Sequence, residues 1–123
     1  MLFDNTQLAL QQAISGASVR QQALSANIAN ADTPGYRRVD VDFHGALASA
    51  MAQGSGSPSA LSQLTFSPQA DASAGAVRAD GSTVDIDSES AKLAENAVDQ
   101  QTMVEVAQAR IHILQAAIGT GGR

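Results

Sequence analysis

Two groups of side chains have the types and spacing that metal chemistry uses. Asp40, Asp42 and His44 alternate, so an extended strand puts all three on one face, where carboxylates and an imidazole can share a divalent cation. Asp85, Asp87 and Glu89 alternate in the same way and look like the opening of a calcium loop. Such a loop needs glycine at its sixth position and a bidentate glutamate at its twelfth, and Ser90 and Asn96 stand there instead. A solvated strand face explains the first group better, and acids at the positive end of a helix explain the second. His112 has no cysteine or second histidine at ligand spacing and reads as a surface histidine. Gly54-Ser55-Gly56 and Gly56-Ser57-Pro58 are linker sequence, not a nucleophile elbow of the Gly-x-Ser-x-Gly kind. No glycine-rich phosphate loop follows a strand. The expectation is a non-enzyme with no catalytic set, no cofactor and no metal.

The adjacent pair Arg37-Arg38 has two readings. Both can be solvated charges beside Asp40 and Asp42, worth little to stability. Alternatively they reach acidic groups on a neighbouring subunit.

Composition narrows the class. A chain of 123 residues makes one domain at most. Its apolar fraction holds 24 Ala, against three Phe, one Tyr and no Trp. Burial free energy follows apolar area, roughly 25 cal/mol per Å², and alanine offers little of it. A lone subunit would be marginal, and neighbouring molecules are expected to supply part of the core. The formal net charge of −5 speaks against nucleic acid, which is held by Lys and Arg on phosphate. Cysteine is absent, so there is no disulfide or thiolate site. No stretch approaches the roughly 20 apolar residues of a membrane span. The first residues lack the basic and continuous apolar regions of a cleavable signal peptide.

The elements that must position any site are helical. Residues 4–30 read as a helix capped by Asp4, Asn5 or Thr6. Phe3, Leu10, Ala17 and Leu24 occupy one heptad position and Gln7, Ile14, Gln21 and Ile28 the other, a seam for a second helix. Gly16 weakens this helix by about 1 kcal/mol relative to alanine. Ala26 to Tyr36 closes it. Asn30, Asp32 and Thr33 favour turns, Pro34 forces Thr33 out of the helical region, and Gly35 can take a positive φ.

Val39-Asp40-Val41-Asp42-Phe43 alternates as a short, half-exposed strand. Residues 44–52 suit a short helix with Leu47 and Met51 on one side. Residues 54–59 look like linker. From there to Ala79 only Leu61, Leu64 and Phe66 are sizeable anchors, so the stretch reads as flexible or ordered against a partner. Asp80-Gly81 is a turn pair, and Val84-Asp85-Ile86 a second short alternating segment. Asp87 or Ser88 then caps a long helix, with Gly119 ending it and residues 120–123 fraying. Its seam reads as Ala97, Val104, Ile111 and Ile118 with Leu93, Gln100, Ala107 and Leu114. Val106, Ile113 and Ala117 widen the stripe beyond two-helix packing.

The expected fold is mainly α. Two long terminal helices form an antiparallel, coiled-coil-like pair around a short β-like, loop-rich middle. The divisions are an N-terminal helix (1–30), a turn and extended segment (31–43), a flexible middle (44–83), and a short strand with the C-terminal helix (84–123). Glutamines in the seams and the widened stripe favour a helix touching several neighbours. A discrete helical adaptor or chaperone has the same outline and is the alternative; a small hydrolase using His44 or His112 is a weaker one.

Ala26-Asn27-Ile28-Ala29-Asn30-Ala31-Asp32-Thr33-Pro34-Gly35-Tyr36, with Arg37-Arg38 and Val39-Asp40-Val41-Asp42-Phe43 behind it, closely resembles the N-terminal signature of bacterial flagellar rod and hook proteins. Among these it looks most like the FlgB family of proximal rod proteins. The run from Asp80 to Asp87 into Ala91-Lys92-Leu93-Ala94-Glu95-Asn96 is similar to that family's approach to its C-terminal helix. The match leaves residues 45–79 unaccounted for. Ala97-Val98-Asp99-Gln100 departs from the more basic, Tyr-containing stretch usual there.

The resemblance implies a structural subunit of the basal-body rod, exported through the flagellar type III apparatus without a cleaved signal into the periplasmic rod. Its terminal helices would form the tube of a torque-transmitting drive shaft. Implied partners are further copies, other rod proteins, and membrane-ring or export-gate junction proteins at the base, with no nucleic acid and no small-molecule substrate. Leu10, Ile14, Leu24, Ile28, Val104, Ile111, Leu114 and Ile118 would make the tube. Asn27, Asn30, Asp32, Thr33, Pro34, Gly35 and Tyr36 would make the turn that directs the chain out of it.

Overall fold

The first helix starts where a local cap dictates. Asp4 accepts a hydrogen bond from the Gln7 backbone N–H at 2.8 Å, meeting one of the donors a helix start leaves open, and α1 runs Asn5–Ala29. At its end the Asn30 side chain donates to the Ala26 carbonyl (2.8 Å) and the Thr33 N–H donates to the Asn30 carbonyl (3.0 Å). Gly35 then takes φ +72°. The computed structural model describes residues 4–52, 58–73 and 75–120. Phe3 and residues 54–57 of the linker-like run lie outside them.

Beyond the turn the order is β1 (Val39–Asp40), α2 (Phe43–Ala52), α3 (Pro58–Ser62), β2 (Gln69–Ala70) and α4 (Ile86–Thr120). α4 lies antiparallel along α1. Asn27 meets Glu89 near one end, Asn96 meets Ala17 midway, and Arg110 meets Asp4 at the other end. α2 and α3 also pack on α1, and the buried Ala17, Ala23, Val41, Phe43, Leu47 and Leu61 form the core there. Leu64, Phe66 and Met103 lean against that cluster. The short helix expected over 44–52 is α2, and the chain beyond it carries α3 and β2, with the fully buried Leu61 as an anchor.

Gly16 has a positive reason to be glycine. A Cβ built there would stand 2.5 Å from the Phe43 Cβ, so α1 and α2 touch backbone to ring across this position.

Several local expectations need correction. The strand expected over 39–43 stops at Asp40, because Asp42 turns to accept the Gly45 N–H (2.9 Å) and start α2. Phe43 is thereby a helical core residue. Met51 is exposed and does not share the burial of Leu47. Val84-Asp85-Ile86 is not a strand. Asp85 accepts from the Asp87 N–H (3.1 Å) and α4 begins at Ile86, ahead of both expected caps. β1 pairs antiparallel with β2, Val39 opposite Ala70 and Asp40 opposite Gln69. At its far end α4 continues through Gly119 to Thr120.

The larger correction concerns the α4 seam. Leu93, Gln100 and Ala107 are half-buried toward the body, as their spacing implies. The companion positions, however, are Glu89, Asn96, Met103 and Arg110, the heptad column one residue ahead of the one that holds the expected Ala97, Val104, Ile111 and Ile118. Three of those four are polar or charged, so a reading that follows aliphatic residues chooses the neighbouring column.

Candidate assembly interface

Two surfaces follow from this arrangement: an elbow after α1 held by buried polar groups, and an aliphatic stripe on α4 that the other described residues leave exposed.

The elbow is built on Asn27. Fully buried on the last turns of α1, it donates through Nδ2 to the Val39 carbonyl (2.7 Å) and accepts the Val39 N–H on Oδ1 (2.9 Å). The amide thus pairs with β1 as a neighbouring strand would. It also donates to Glu89 Oε2 (3.0 Å), and the Tyr36 hydroxyl donates to its Oδ1 at 3.4 Å.

Arg38, its side chain 4% exposed, is the second keystone. Its guanidinium donates to Glu89 Oε1 (2.5 Å) and Oε2 (3.4 Å), to Asp40 (3.2 Å) and to Asp71. Arg20 on α1 bonds Asp40 as well (2.8 Å). A buried charge is tolerable only when it is paired and hydrogen-bonded, and here two guanidiniums interleave with three carboxylates. Burial alone would lower the Arg38 pKa, but the bonds to Glu89 and Asp40 outweigh it and hold the group above its ordinary value. Burial likewise works to raise Asp40, and the Arg20 guanidinium more than reverses this, leaving its carboxyl below the usual range. Asp71 is lowered chiefly by the Ser73 hydroxyl and N–H, with Arg38 adding to it.

Arg38 is therefore neither a solvated charge nor an intersubunit contact. Of the two readings of the arginine pair, exposure survives for Arg37 alone. The remaining signature residues divide sharply. Asp32, Thr33, Pro34 and Gly35 are exposed, with Asp32 4.0 Å from Arg78. Asn27 and Tyr36 face inward. The two candidate metal groups are taken up elsewhere: Asp40 by arginines, Asp42 by its cap, Glu89 by Arg38 and Asn27. His44 stacks on Phe43 with ring centroids 4.0 Å apart and lies 3.6 Å from Asp99. Among the described residues no cluster of three metal-ligating side chains is present.

Sequence reasoning missed Asn27, Glu89 and Asn96 as buried groups. Asn96 donates to the Ala17 carbonyl (2.9 Å) and to Gln21 (3.0 Å), tying the middle of α4 to α1. A signal existed in the spacing: Glu89, Asn96, Met103 and Arg110 recur every seven residues beside Leu93, Gln100 and Ala107.

The eight residues expected to build a tube separate in the same way. Leu24 is fully buried and belongs to the subunit's own interior. Leu10, Ile14, Ile28 and Val104 are half-buried. Ile111, Leu114 and Ile118 are exposed, the last at 71%, and Val106 and Ile113 stand beside them. All but Val106 occupy the part of α4 beyond the Arg110–Asp4 ion pair (2.7 Å), past the start of α1 at Asn5. Ten residues at 1.5 Å each make an overhang of about 15 Å, with no Asp, Glu, Lys or Arg between 111 and 120. No described helix is long and apolar enough to cross a membrane.

Comparison with known proteins supplies the context. The family model for flagella basal body rod proteins matches residues 8–37, α1 and the elbow. The chain is 35% identical to the flagellar basal body rod protein FlgB of Aeromonas hydrophila over 117 residues, 88% of each chain. It is 31% identical to FlgB of Escherichia coli K12 over 126 residues, 90% of this chain and 91% of the relative. To FlgB of Bacillus subtilis it is 30% identical over 129 residues, 99% and 98% of the two chains.

Proposed function

This chain belongs to the FlgB family of flagellar basal body rod proteins, and from that premise we propose that the uncovered stripe of α4 is what joins it to its neighbours. It is a structural subunit of the basal-body rod and assembles with other rod components. The observation that carries the proposal is the mismatch of the helix pair: α1 covers α4 only as far as Arg110, and the aliphatic residues beyond it face outward.

A monomer has no use for such an end. Exposed contiguous apolar surface marks an interaction site, and an uncharged helical overhang fits the exposed aliphatic flank of another helix. In this reading Ile111, Leu114 and Ile118 pack into a helical tube with Val104, Leu10, Ile14 and Ile28 at its margin. The neighbours are further copies and other proximal rod proteins, with membrane-ring or export-gate junction proteins at the base. The assembled tube transmits torque, because interlocked helices resist both twisting and sliding. The exposed apex 32–35 keys each subunit to the next. Export into the periplasmic rod without signal cleavage completes the proposal.

The test is Ile111→Asp combined with Ile118→Asp. Both side chains are exposed in the subunit, so the variant accumulates with wild-type helicity, while rods fail to assemble and cells lose motility. Normal swimming by a strain carrying only the double variant would sink the assignment of α4 to the tube.

A further inference from the structure

Glu89 touches three parts of the molecule at once. It stands in the first turn of α4, its carboxylate takes Nδ2 of Asn27 at the end of α1, and it takes Nε and Nη2 of Arg38 in the elbow. Its side chain is 1% exposed. We propose that this carboxylate is a latch: the elbow after α1 acquires its direction only when the start of α4 is docked, so turn and helix pair close as one event.

The elbow lacks anchors of its own. Residues 32–35 are exposed and bring no core of their own. The segment's remaining anchors come largely from the chain just before α4. The Gly35 N–H donates to the Asp80 carbonyl (2.8 Å), the Thr83 N–H donates to the Tyr36 carbonyl (3.0 Å), and the Arg38 N–H donates to the Thr83 hydroxyl (2.9 Å). Arg78 adds a bond to the Ala31 carbonyl (3.0 Å). Withdrawing α4 removes this edge and the carboxylate together. Arg38 is then left with Asp40 and Asp71, whose side chains are 23% and 22% exposed, and Asn27 loses the acceptor that orients its amide toward Val39. A segment held by few groups from one element opens with that element. The middle of α1 has other support, since Ala17 and Ala23 sit in the core with Phe43, Leu47 and Leu61. The inference is independent of what covers the α4 overhang.

Hydrogen exchange on the full chain reads it directly, with the Gly35, Arg38 and Val39 amides as reporters. Glu89→Gln keeps the shape but turns an N–H₂ toward groups that are themselves donors. Those three amides are expected to lose at least about tenfold in protection, while amides of residues 13–24 change less than about threefold. Asn96→Asp approaches the latch from two helical turns away, setting a carboxylate against the Ala17 carbonyl and Gln21. It is expected to expose the same reporters as α4 loosens. Three results overturn the proposal. The reporters keep their protection in Glu89→Gln; all amides fall by one common factor in both variants; or the wild-type elbow is already as labile as the chain ends.

Discussion

Replacing Gly16 by alanine sets helix propensity against packing, and the structure decides between them. Position 16 lies inside a 25-residue helix, where alanine is favoured over glycine by about 1 kcal/mol. The new Cβ, however, meets Phe43 at 2.5 Å to Cβ, 2.9 Å to Cγ and 3.2 Å to Cδ2. Carbon atoms sit best about 3.5–4.0 Å apart, so about 1 Å of separation has to be found. The closest atom is a Cβ fixed to the backbone of α2, and no rotamer change moves it away. Phe43 is fully buried, so its ring has no free space to enter. α1 and α2 must part, which strips contacts from the cluster they share. Overpacking of this kind costs about 1–3 kcal/mol, and part of the cost is separation itself, since a gap of 0.5–1 Å forfeits a quarter to a half of each contact. Subtracting the propensity gain leaves about 0–2 kcal/mol, and because the closest clash is with a Cβ that cannot swing away the upper half of that range, about 1–2 kcal/mol, applies. At roughly 4 °C per kcal/mol for a chain of this size, the melting midpoint falls by about 4–8 °C, followed by circular dichroism at 222 nm. Gly119→Ala is the control, because nothing lies within 4 Å of a Cβ there; it leaves the midpoint level or slightly raised. A Gly16→Ala variant that melts at or above the wild type refutes the close approach of α1 and α2.

The elbow and its charges yield three further expectations. Asp40 and Asp71 have depressed carboxyl pKa values in the folded chain, so their stabilisation is complete above the ordinary value of 3.8 and is lost as pH falls through the lowered folded values. Thermal melts from pH 7 down to 3 therefore show an acid limb, and Asp40→Asn flattens it; an unchanged limb contradicts the Arg20–Asp40–Arg38 geometry. Arg38→Met leaves Glu89 buried without its cation and costs about 3–5 kcal/mol, whereas Arg38→Met with Glu89→Leu costs far less. A double-mutant cycle in urea that shows simple additivity rules the buried pair out. Gly35 and Gly81 both have positive φ, 72° and 82°, but a Cβ finds open space at Gly35 and meets the Gly35 Cα at 3.3 Å when built on Gly81. Gly35→Ala costs about 1 kcal/mol in backbone strain, and Gly81→Ala costs more, read from paired denaturation curves.

Features written in local chemistry were legible in the sequence. The Asp4 cap, the stop at Asn30, the positive-φ glycine after Pro34 and the Asp80-Gly81 turn each depend on a few adjacent residues. The antiparallel helix pair was legible because heptad spacing survives in an alanine-rich chain. The polar interior was not. Glu89 looks like a dipole-facing acid until Arg38, 51 residues earlier, is placed over it, and nothing near Asn27 announces that its amide will serve as a strand partner for Val39. Gly16 was read as a weakness for the same reason: its partner Phe43 belonged, by alternation, to a strand rather than to a helix crossing α1.

The displaced seam of α4 connects these misses to function. A free-standing helical hairpin turns its aliphatic residues inward. Here Glu89, Asn96, Met103 and Arg110 face α1 beside Leu93, Gln100 and Ala107, while Ile111, Leu114 and Ile118, with Val106 and Ile113 beside them, look outward. Polar groups suit the inner seam because each has a specific mate: Glu89 with Arg38, Asn96 with Ala17 and Gln21, Arg110 with Asp4. Directional bonds fix how the two helices register, which aliphatic packing alone does less strictly. Aliphatic groups suit the outer face because their attraction is non-directional and scales with area, so they gain most when another molecule covers them. The subunit thus fixes its helix pair with polar contacts beside the apolar core around Phe43 and Leu61, and leaves the aliphatic end of α4 exposed, the surface that the proposed assembly would cover.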